Sequence, residues 1–375
     1  LVGPAYPFRG GIAHFNTLLA GEFAKDHKTL VINFKRLYPS IFFPGKTQFD
    51  SSRSPIDVSS ERLIDSINPF SYYKAARRIT DFRPDLVIFQ WWHPFFAPAY
   101  SSVRFFLKKK CNCRIVYLCH NVMPHESSFL DRFLIKLGFS GVRRFLVQSS
   151  EDERKLKSLL RKMKTGEAHT AVSPHPVYEV FRSEKIGRAE ARSRLGVEGR
   201  MILFFGYIRK YKGLGVLLKA FAEASRTLRM KLFIVGEFYD DKSKYDSLIK
   251  QLGIDSKIEV IDRYVPNEEV ELYFEAADLV VLPYLSATQS GIVQISYAFD
   301  TPVIVTSVGG LPDVVEDGVT GRVVRPNDPA GLADAVVDFF SSSRAESMID
   351  GVKRARKRFS WAGCAAVIME LYKAP

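Results

Sequence analysis

The chain has little cysteine and no long apolar run, and each shortage excludes a class of protein. Four cysteines in 375 residues are too few to staple a chain of this size into a disulfide framework. Cys111 and Cys113 stand one residue apart, the wrong spacing for zinc, and no second Cys/His pair accompanies them. Free thiols in a reducing compartment are the expectation. No stretch reaches the ~18 uncharged apolar residues of a membrane-spanning helix. The start has no basic segment leading into an apolar one, so no signal peptide is expected. Leu1-Val2-Gly3 reads as the tail of a strand that begins upstream of this numbering. Internal repeats and low-complexity tracts are also missing.

What is present is an ordinary globular composition, 46% hydrophobic and 25% charged. The length suits two domains or one large barrel. The net charge of +13 is unevenly placed. Residues 1–178 hold 27 Lys/Arg against 14 Asp/Glu, whereas residues 179–375 hold 27 of each. The first half therefore calls for an anionic partner: lipid, nucleic acid or a phosphorylated substrate. Its dense basic pieces are Lys108-Lys109-Lys110, Arg143-Arg144 and the segment 151–164. Drawn as a helix, that segment lines up Leu156, Leu159, Leu160 and Met163 in one stripe with cations around it. It reads either as an interfacial helix on an anionic membrane or as a surface helix packed on its own core. No nucleic-acid module is recognisable, and nucleic acid is not an expected partner.

Short β-branched and aromatic runs alternate with helical stretches along the whole chain. The spacing predicts strands at 29–34, 86–90, 114–119 and 145–148, then at 201–205, 231–235, 257–261, 279–282, 303–306 and 321–324. Helices are predicted at 11–26, 69–81, 150–163, 213–228, 241–252, 267–276, 290–299 and 328–343. Alternation of this kind means α/β layers around parallel sheets. Two sets of strands separated by a break argue for two doubly wound, Rossmann-like domains rather than a closed barrel. The break is residues 169–182, with Pro174 and Pro176 and no periodicity. The domains are placed at 1–178 and 179–357. A final apolar-faced helix at 358–375, with no strand after it, is assigned to the first.

Several loops carry candidate chemistry. Gly10-Gly11 follows the first strand and opens a helix, so it is either a structural turn or a place where backbone approaches a phosphate. FFGYIRKYKG at 204–213 crowds Arg209, Lys210 and Lys212 into a loop at the carboxyl end of a strand, with no acid nearby. Such a cluster is either a solvated patch or the seat of an anion such as a diphosphate. In YLSATQSGIVQISYAFDTPVIVTSVGGLPDVV at 284–315, Ser290-Gly291-Ile292 starts a helix whose free N–H groups suit phosphate or a sugar hydroxyl. Trp91, Trp92 and His93 end a strand and either stack on a sugar or lipid-linked acceptor or pack internally. His120, at another strand end, is followed by His125 and Glu126, which are candidates for the acceptor. Asp240-Asp241 falls at a polar helix start, unsuited to a metal, so no metal site is expected.

The order of these motifs resembles glycosyltransferase family 4, retaining enzymes of the GT-B fold that use nucleotide sugars. It consists of GGI before a helix, FFGxxRKYKG, TQSGIVQxxYAFDTPVIVTxVGGLPDVVEDGVTG and FSW before a last helix. The resemblance covers essentially the whole chain and is strongest over 201–325. It implies two Rossmann-like domains facing across a cleft, with the last helix returning to the N-terminal one. It implies a metal-independent hexosyltransferase with no cofactor, moving sugar from a nucleoside diphosphate to an acceptor hydroxyl. Surface polysaccharide or glycolipid assembly is the implied setting, in the cytoplasm and peripheral on the inner face of the cell membrane.

Residue by residue, Arg209 and Lys212 match the family's donor-diphosphate cations. The family's arginine more often directly follows the glycine, where this chain has Tyr207. His120 matches the histidine beside the donor sugar. Gly10 and Gly11 match the glycine loop, and Ser290, Gly291 and Ile292 the amides that hold sugar and pyrophosphate. Tyr264 lies where backbone would meet the base. Thr288 and Ser296 stand where the family has two glutamates, and they are read as weaker, uncharged hydrogen-bonding substitutes in the donor set. That departure leaves an alternative: a catalytically weak protein that binds sugar nucleotides or serves as a partner subunit.

Overall fold

The computed structural model describes residues 1–39, 47–123, 128–341 and 344–375. The chain divides into two compact units. One comprises residues 1–51, 55–174 and 361–375, and the other 52–54 and 175–360.

The first unit is built on parallel strands β1 (Val31–Arg36), β2 (Ser60–Asp65), β3 (Leu86–Trp91), β4 (Arg114–Cys119), β5 (Arg144–Val147) and β6 (His169–Val172). β1 pairs with β2, and β3 to β6 pair in sequence order. The opening residues join the two sets. Val2 forms parallel bridges to Ile32 on one side and Phe89 on the other. Its N–H donates to the Ile88 carbonyl at 2.8 Å, and its carbonyl accepts from Gln90. The spatial order is therefore β2, β1, Val2, β3, β4, β5, β6. Residue side alternates along β3, as the pleat requires. Val87, Phe89 and Trp91 enter one core with Tyr100, Tyr117 and Phe139. Ile88 enters the opposite core, with Phe15, Leu19 and Phe23 of helix Gly11–Ala24. The helix Trp361–Lys373 closes that second core through Cys364, Ile368 and Leu371. Phe15 meets Trp361 edge-on at 5.1 Å between ring centres.

The second unit holds a six-stranded parallel sheet of β7 (Arg200–Phe205), β8 (Met230–Val235), β9 (Ile258–Ile261), β10 (Leu279–Leu282), β11 (Val303–Thr306) and β12 (Gly321–Val324). The spatial order is β12-β11-β10-β7-β8-β9. The first strand lies centrally and the order runs outward both ways, so the doubly wound topology has its switch point between β7 and β10. β7 (RMILFF) and β10 (LVVL) are buried on both faces, which their near-continuous apolar runs require.

Two details differ from the sequence reading. The segment 169–182 is not all connection, because its first four residues form β6, half-buried beside β5. The helix at Ser150–Lys162 turns its stripe inward: Leu156 and Leu160 are buried, with Leu159 and Met163 packed against the same core. That stripe is used by the first unit itself, so it does not serve as an interfacial face. The order and charge of this helix explain its bounds. Ser149 caps it by accepting from the Asp152 N–H at 3.0 Å, acids fill the first turn and Arg161-Lys162 the last.

Just past the unit boundary, His175 is buried with Nδ1 at 3.1 Å from the Tyr178 hydroxyl. Burial lowers its pKa to about 4 from the ordinary 6.5. The unfolded chain thus takes up this proton before the folded one does. His175 contributes stability above about pH 6.5, and that contribution is lost as pH falls from 6.5 towards 4. The slope is at most ~1.4 kcal/mol per pH unit for one proton. Melting temperatures at pH 7 and pH 5 test this, with His175→Gln expected to lose less on acidification than the parent. An equal loss in both contradicts it.

Candidate functional site

In the second unit the loops after β7 and β10 meet at the switch point. β7 ends at Phe205, and Gly206 follows with φ of 106°. A Cβ on Gly206 would lie 2.9 Å from Lys212 Nζ and 3.7 Å from Ile292 Cδ1. The lysine head and the start of helix Gly291–Ala298 therefore converge over this glycine. Gly213 closes the loop with φ of 71°, and a Cβ there would lie 1.9 Å from the Pro283 carbonyl oxygen. Only glycine allows the two loops so close. A backbone hydrogen bond from Leu285 N–H to the Tyr211 carbonyl at 2.7 Å fixes their spacing.

Lys212 is the unusual group. Its side chain is buried, and its ammonium lies 5.3 Å from the centre of the Tyr284 ring. Among the described residues it forms no ion pair and no side-chain hydrogen bond. Burial pushes its pKa down; Tyr211 opposes the shift and Arg209 adds to it. Tyr284 is itself buried with its phenol pushed up to about 12, so it stays neutral, and its hydroxyl is 3.3 Å from Ser290 Oγ. A desolvated ammonium packed near a ring face, opposed by another cation and in no ion pair among the described residues, is costly unless an anion joins it.

Arg209 caps the short 3₁₀ turn Lys210–Lys212, and its guanidinium lies 4.7 Å from the Tyr239 ring centre. Tyr239 in turn leans on Tyr207 at 4.9 Å. Sequence reasoning missed Tyr239 and Tyr284. Both follow buried strands, so strand-end position was the signal available. The helix Gly291–Ala298 begins with no side-chain cap from Ser290, which leaves its first N–H groups to a ligand. Tyr178 lies 3.5 Å from where a Gly291 Cβ would stand. Thr288 is half-buried in the same loop, and its carbonyl accepts from Gly310 N–H at 2.8 Å. Gly309 has φ of 56° and backs onto the Ala287 carbonyl. Tyr264 is half-buried in the loop after β9.

Ser296 corrects an expectation. It is fully buried, and its hydroxyl donates to the Thr301 carbonyl at 2.8 Å. This helix is buried from Val293 to Ala298, so the serine closes the helix end instead of facing a ligand.

In the first unit, Gly10 has φ of 105° and caps helix Gly11–Ala24 through its carbonyl, which accepts from His14 N–H at 3.1 Å. Gly11 has open space where a Cβ would be. Buried Asn33 and Asn16 pin the preceding loop. Asn33 accepts from Ala5 N–H at 3.1 Å and donates to the Tyr6 carbonyl at 2.8 Å, and Asn16 donates to the Pro4 carbonyl at 3.0 Å. His120 follows β4, nearly buried, with Nε2 at 2.7 Å from Gln90 Oε1. The amide oxygen accepts, so Nε2 carries the proton. The edge of Phe15 packs on its ring at 4.9 Å. The glycine loop, Gln90 and His120 thus share the carboxyl end of one sheet.

Trp91 does not belong with them. It is fully buried and stacked near Tyr117 and Phe139, at 5.9 and 4.8 Å, because it shares a face with Phe89 and not with Gln90. Its expected acceptor role is replaced by core packing. Trp92 is half-buried and donates from Nε1 to the Tyr38 hydroxyl at 2.9 Å. His93 is exposed and caps the turn Pro94–Phe96, its Nδ1 accepting from Phe95 N–H. His125 and Glu126 lie outside the described residues.

Replacing Lys212 by Met keeps the side-chain volume and removes the desolvated charge. Lys212→Met is expected to melt at the same temperature as the parent or higher, and to lose stabilisation by inorganic pyrophosphate, which the parent shows as a raised Tm. A clear fall in Tm, or equal stabilisation of both proteins, contradicts the assignment.

Residues 199–342 match the family model described as glycosyl transferases group 1. The chain is 33% identical over 217 residues to a D-inositol 3-phosphate glycosyltransferase of Corynebacterium glutamicum, covering 54% of this chain and 51% of that protein. Against the Streptomyces coelicolor protein of the same name the identity is 32% over 202 residues, covering 50% and 43%. The chain spans about half the length of the curated relatives it matches. Among solved structures, Anabaena HepE in complex with UDP and glucose superposes with a TM-score of 0.74 at 16% identity, covering 98% of this chain and 97% of that one. Sucrose-phosphate synthase from Thermosynechococcus elongatus gives 0.73 at 18%, covering 99% and 97%. These two likenesses show the fold, two Rossmann-like domains of the GT-B kind.

Proposed function

We propose, from the premise that residues 199–342 belong to the group 1 glycosyl transferases, that the protein is a retaining glycosyltransferase that takes its sugar from a nucleoside diphosphate. The observation that carries this reading is the buried Lys212 ammonium, which has no carboxylate partner among the described residues and sits beside Arg209 and an uncapped helix start. A departing diphosphate gains negative charge as the glycosidic bond breaks. The Lys212 ammonium and helix N–H groups already in place stabilise that charge without reorganising. In this proposal they do so without a metal or cofactor.

The residues divide the work by position. Lys212 and Arg209 hold the diphosphate, with Gly291 and Ile292 offering backbone N–H groups. Gly206 leaves room for the phosphates. Thr288 offers a hydroxyl to the sugar, and Tyr264 lies in the loop assigned to the base. His120, held by Gln90 with its Nε2 proton fixed, is assigned to the sugar ring, and Gly10-Gly11 to the phosphate and acceptor side. Leaving group and attacking hydroxyl share one face of the sugar, and the diphosphate oxygen takes the acceptor proton. UDP is the first nucleotide to test, since HepE was solved with it.

The acceptor is proposed to be a glycolipid or lipid-linked glycan of cell-surface polysaccharide assembly, with Trp92 and His93 the remaining described candidates beside it. The place of action is proposed as the cytoplasm, peripheral on the inner face of the membrane. No helix among the described residues is long and apolar enough to cross a membrane.

A panel of labelled UDP-, GDP- and dTDP-sugars, assayed for transfer and hydrolysis, tests the proposal. Turnover is expected with one donor class, and Lys212→Met should lower kcat/KM for it by about 100-fold or more. Binding without turnover for every donor would favour the sugar-nucleotide-binding subunit. Unchanged kcat/KM in Lys212→Met would overturn the assigned role.

A further inference from the structure

We propose that the first unit docks on an anionic lipid bilayer through the outer face of helix Phe129–Phe139 and the two helices beside it. The proposal rests on the peripheral location given above and is independent of the transfer chemistry.

This helix has two opposite apolar faces. The inner one buries Ile135, Gly138 and Phe139. A Cβ on Gly138 would lie 2.5 Å from the Trp91 ring, so the helix sits as close to the sheet as glycine permits. The outer face presents Phe129, 88% exposed, with Leu130, Phe133 and Leu137, the last two 58% and 38% exposed. Residues 129, 133 and 137 recur at i, i+4 and i+8, one row along the helix. The start is fixed by a capping box between Ser128 and Asp131, so this face is presented by a formed helix.

The neighbours extend the patch. Helix Ala97–Lys108 packs beside it, tied by Ser101 Oγ donating to the Leu137 carbonyl at 3.0 Å and Arg104 donating to the Gly138 carbonyl at 3.0 Å. It exposes Phe105, with the Lys109 ammonium 4.4 Å from that ring's centre. Helix Pro69–Phe82 lies beyond and exposes Phe70, which is 88% exposed, and Tyr73. In the second unit, the exposed large apolar side chains among the described residues are only Val180, Leu285 and Val319. Among the described residues of the first unit, these three helices carry the exposed large apolar side chains other than Phe49 and Ile67.

Charge decides the occupant. The residues 97–110 present three exposed cations, Lys108 to Lys110, and no acid, while Arg104 is buried against Gly138 and Tyr117. Helix Phe129–Phe139 adds exposed Arg132 and Lys136, and its one acid, Asp131, is engaged by the Ser128 N–H and hydroxyl. Aromatic side chains with lysines and arginines around them match the acyl boundary and anionic headgroups of a bilayer. This also gives the first half's excess positive charge a target.

Sedimentation of the full chain with vesicles tests the proposal, comparing phosphatidylcholine alone with a 3:1 mixture of phosphatidylcholine and phosphatidylglycerol. The parent is expected to bind the anionic vesicles at least tenfold more tightly, and less so in high salt. The triple variant Phe129→Ser, Phe133→Ser, Leu137→Ser should bind at least tenfold more weakly with unchanged circular dichroism, as should Lys109→Ser with Lys110→Ser. Val319→Ser should bind like the parent. No binding by the parent would overturn the peripheral location itself. Binding by the triple variant equal to the parent's would overturn this surface while leaving that location standing. A dimer in vesicle-free buffer that the triple variant dissolves would assign the face to a second copy and overturn the lipid assignment.

Discussion

The second unit is organised around a single electrostatic constraint, an ammonium withdrawn from water without a counter-charge. The Lys212 ammonium lies close to Gly206 and the Tyr284 ring, and the like charge of Arg209 acts on it. A folded chain gains nothing in stability from this arrangement, because burial and a like charge both work against it. Its proposed use lies in the field it creates near the start of helix Gly291–Ala298, whose Ile292 side chain also borders Gly206. In the proposed role, an anion placed there meets the Lys212 ammonium and oriented N–H groups already in place, and Arg209 turns from the Tyr239 ring to join them.

The backbone features around that lysine follow from the constraint. Gly206, Gly213 and Gly309 each have positive φ, and at Gly213 and Gly309 an added side-chain carbon would strike a carbonyl of the neighbouring loop. The glycines let the loops after β7 and β10 approach to a distance that ordinary residues forbid. The strand order supplies the rest. With β7 and β10 adjacent and their following helices on opposite faces of the sheet, the chain parts at their carboxyl ends and leaves the crevice that the two loops line. In the first unit, Asn33 and Asn16 do comparable work by holding the loop before Gly10 with buried side-chain hydrogen bonds.

Much of this was legible in the residues. Strands buried on both faces announce themselves as apolar runs, and β10 and β11 fall at the expected residues, as do β4 and the half-buried edge strand β12. The strands that escaped, β2 and β6, sit at the two edges of their sheet and are half-buried, so SERLID and HTAV carry no apolar run to find. The loop cations and glycines were visible because charge and φ freedom are properties of residue type. The facing of individual side chains was harder to read. Trp91 looked like a strand-end aromatic suited to sugar, yet strict alternation from Phe89 puts it in the core, and that signal was available. Ser296 lies in a helix buried all round, where no periodicity tells one side from another. The stripe at 156–163 was correctly read as apolar but covers the unit's own core. The comparable row on Phe129–Phe139 is masked in sequence by apolar residues on both faces.

The most direct measurement is a crystal structure of the chain with a nucleoside diphosphate bound. The diphosphate is expected within hydrogen-bond distance of Lys212 Nζ and of the Gly291 or Ile292 N–H, with the Arg209 guanidinium turned towards it. A diphosphate seated elsewhere, with the Lys212 ammonium still against Tyr284 and still unpaired, would contradict this expectation.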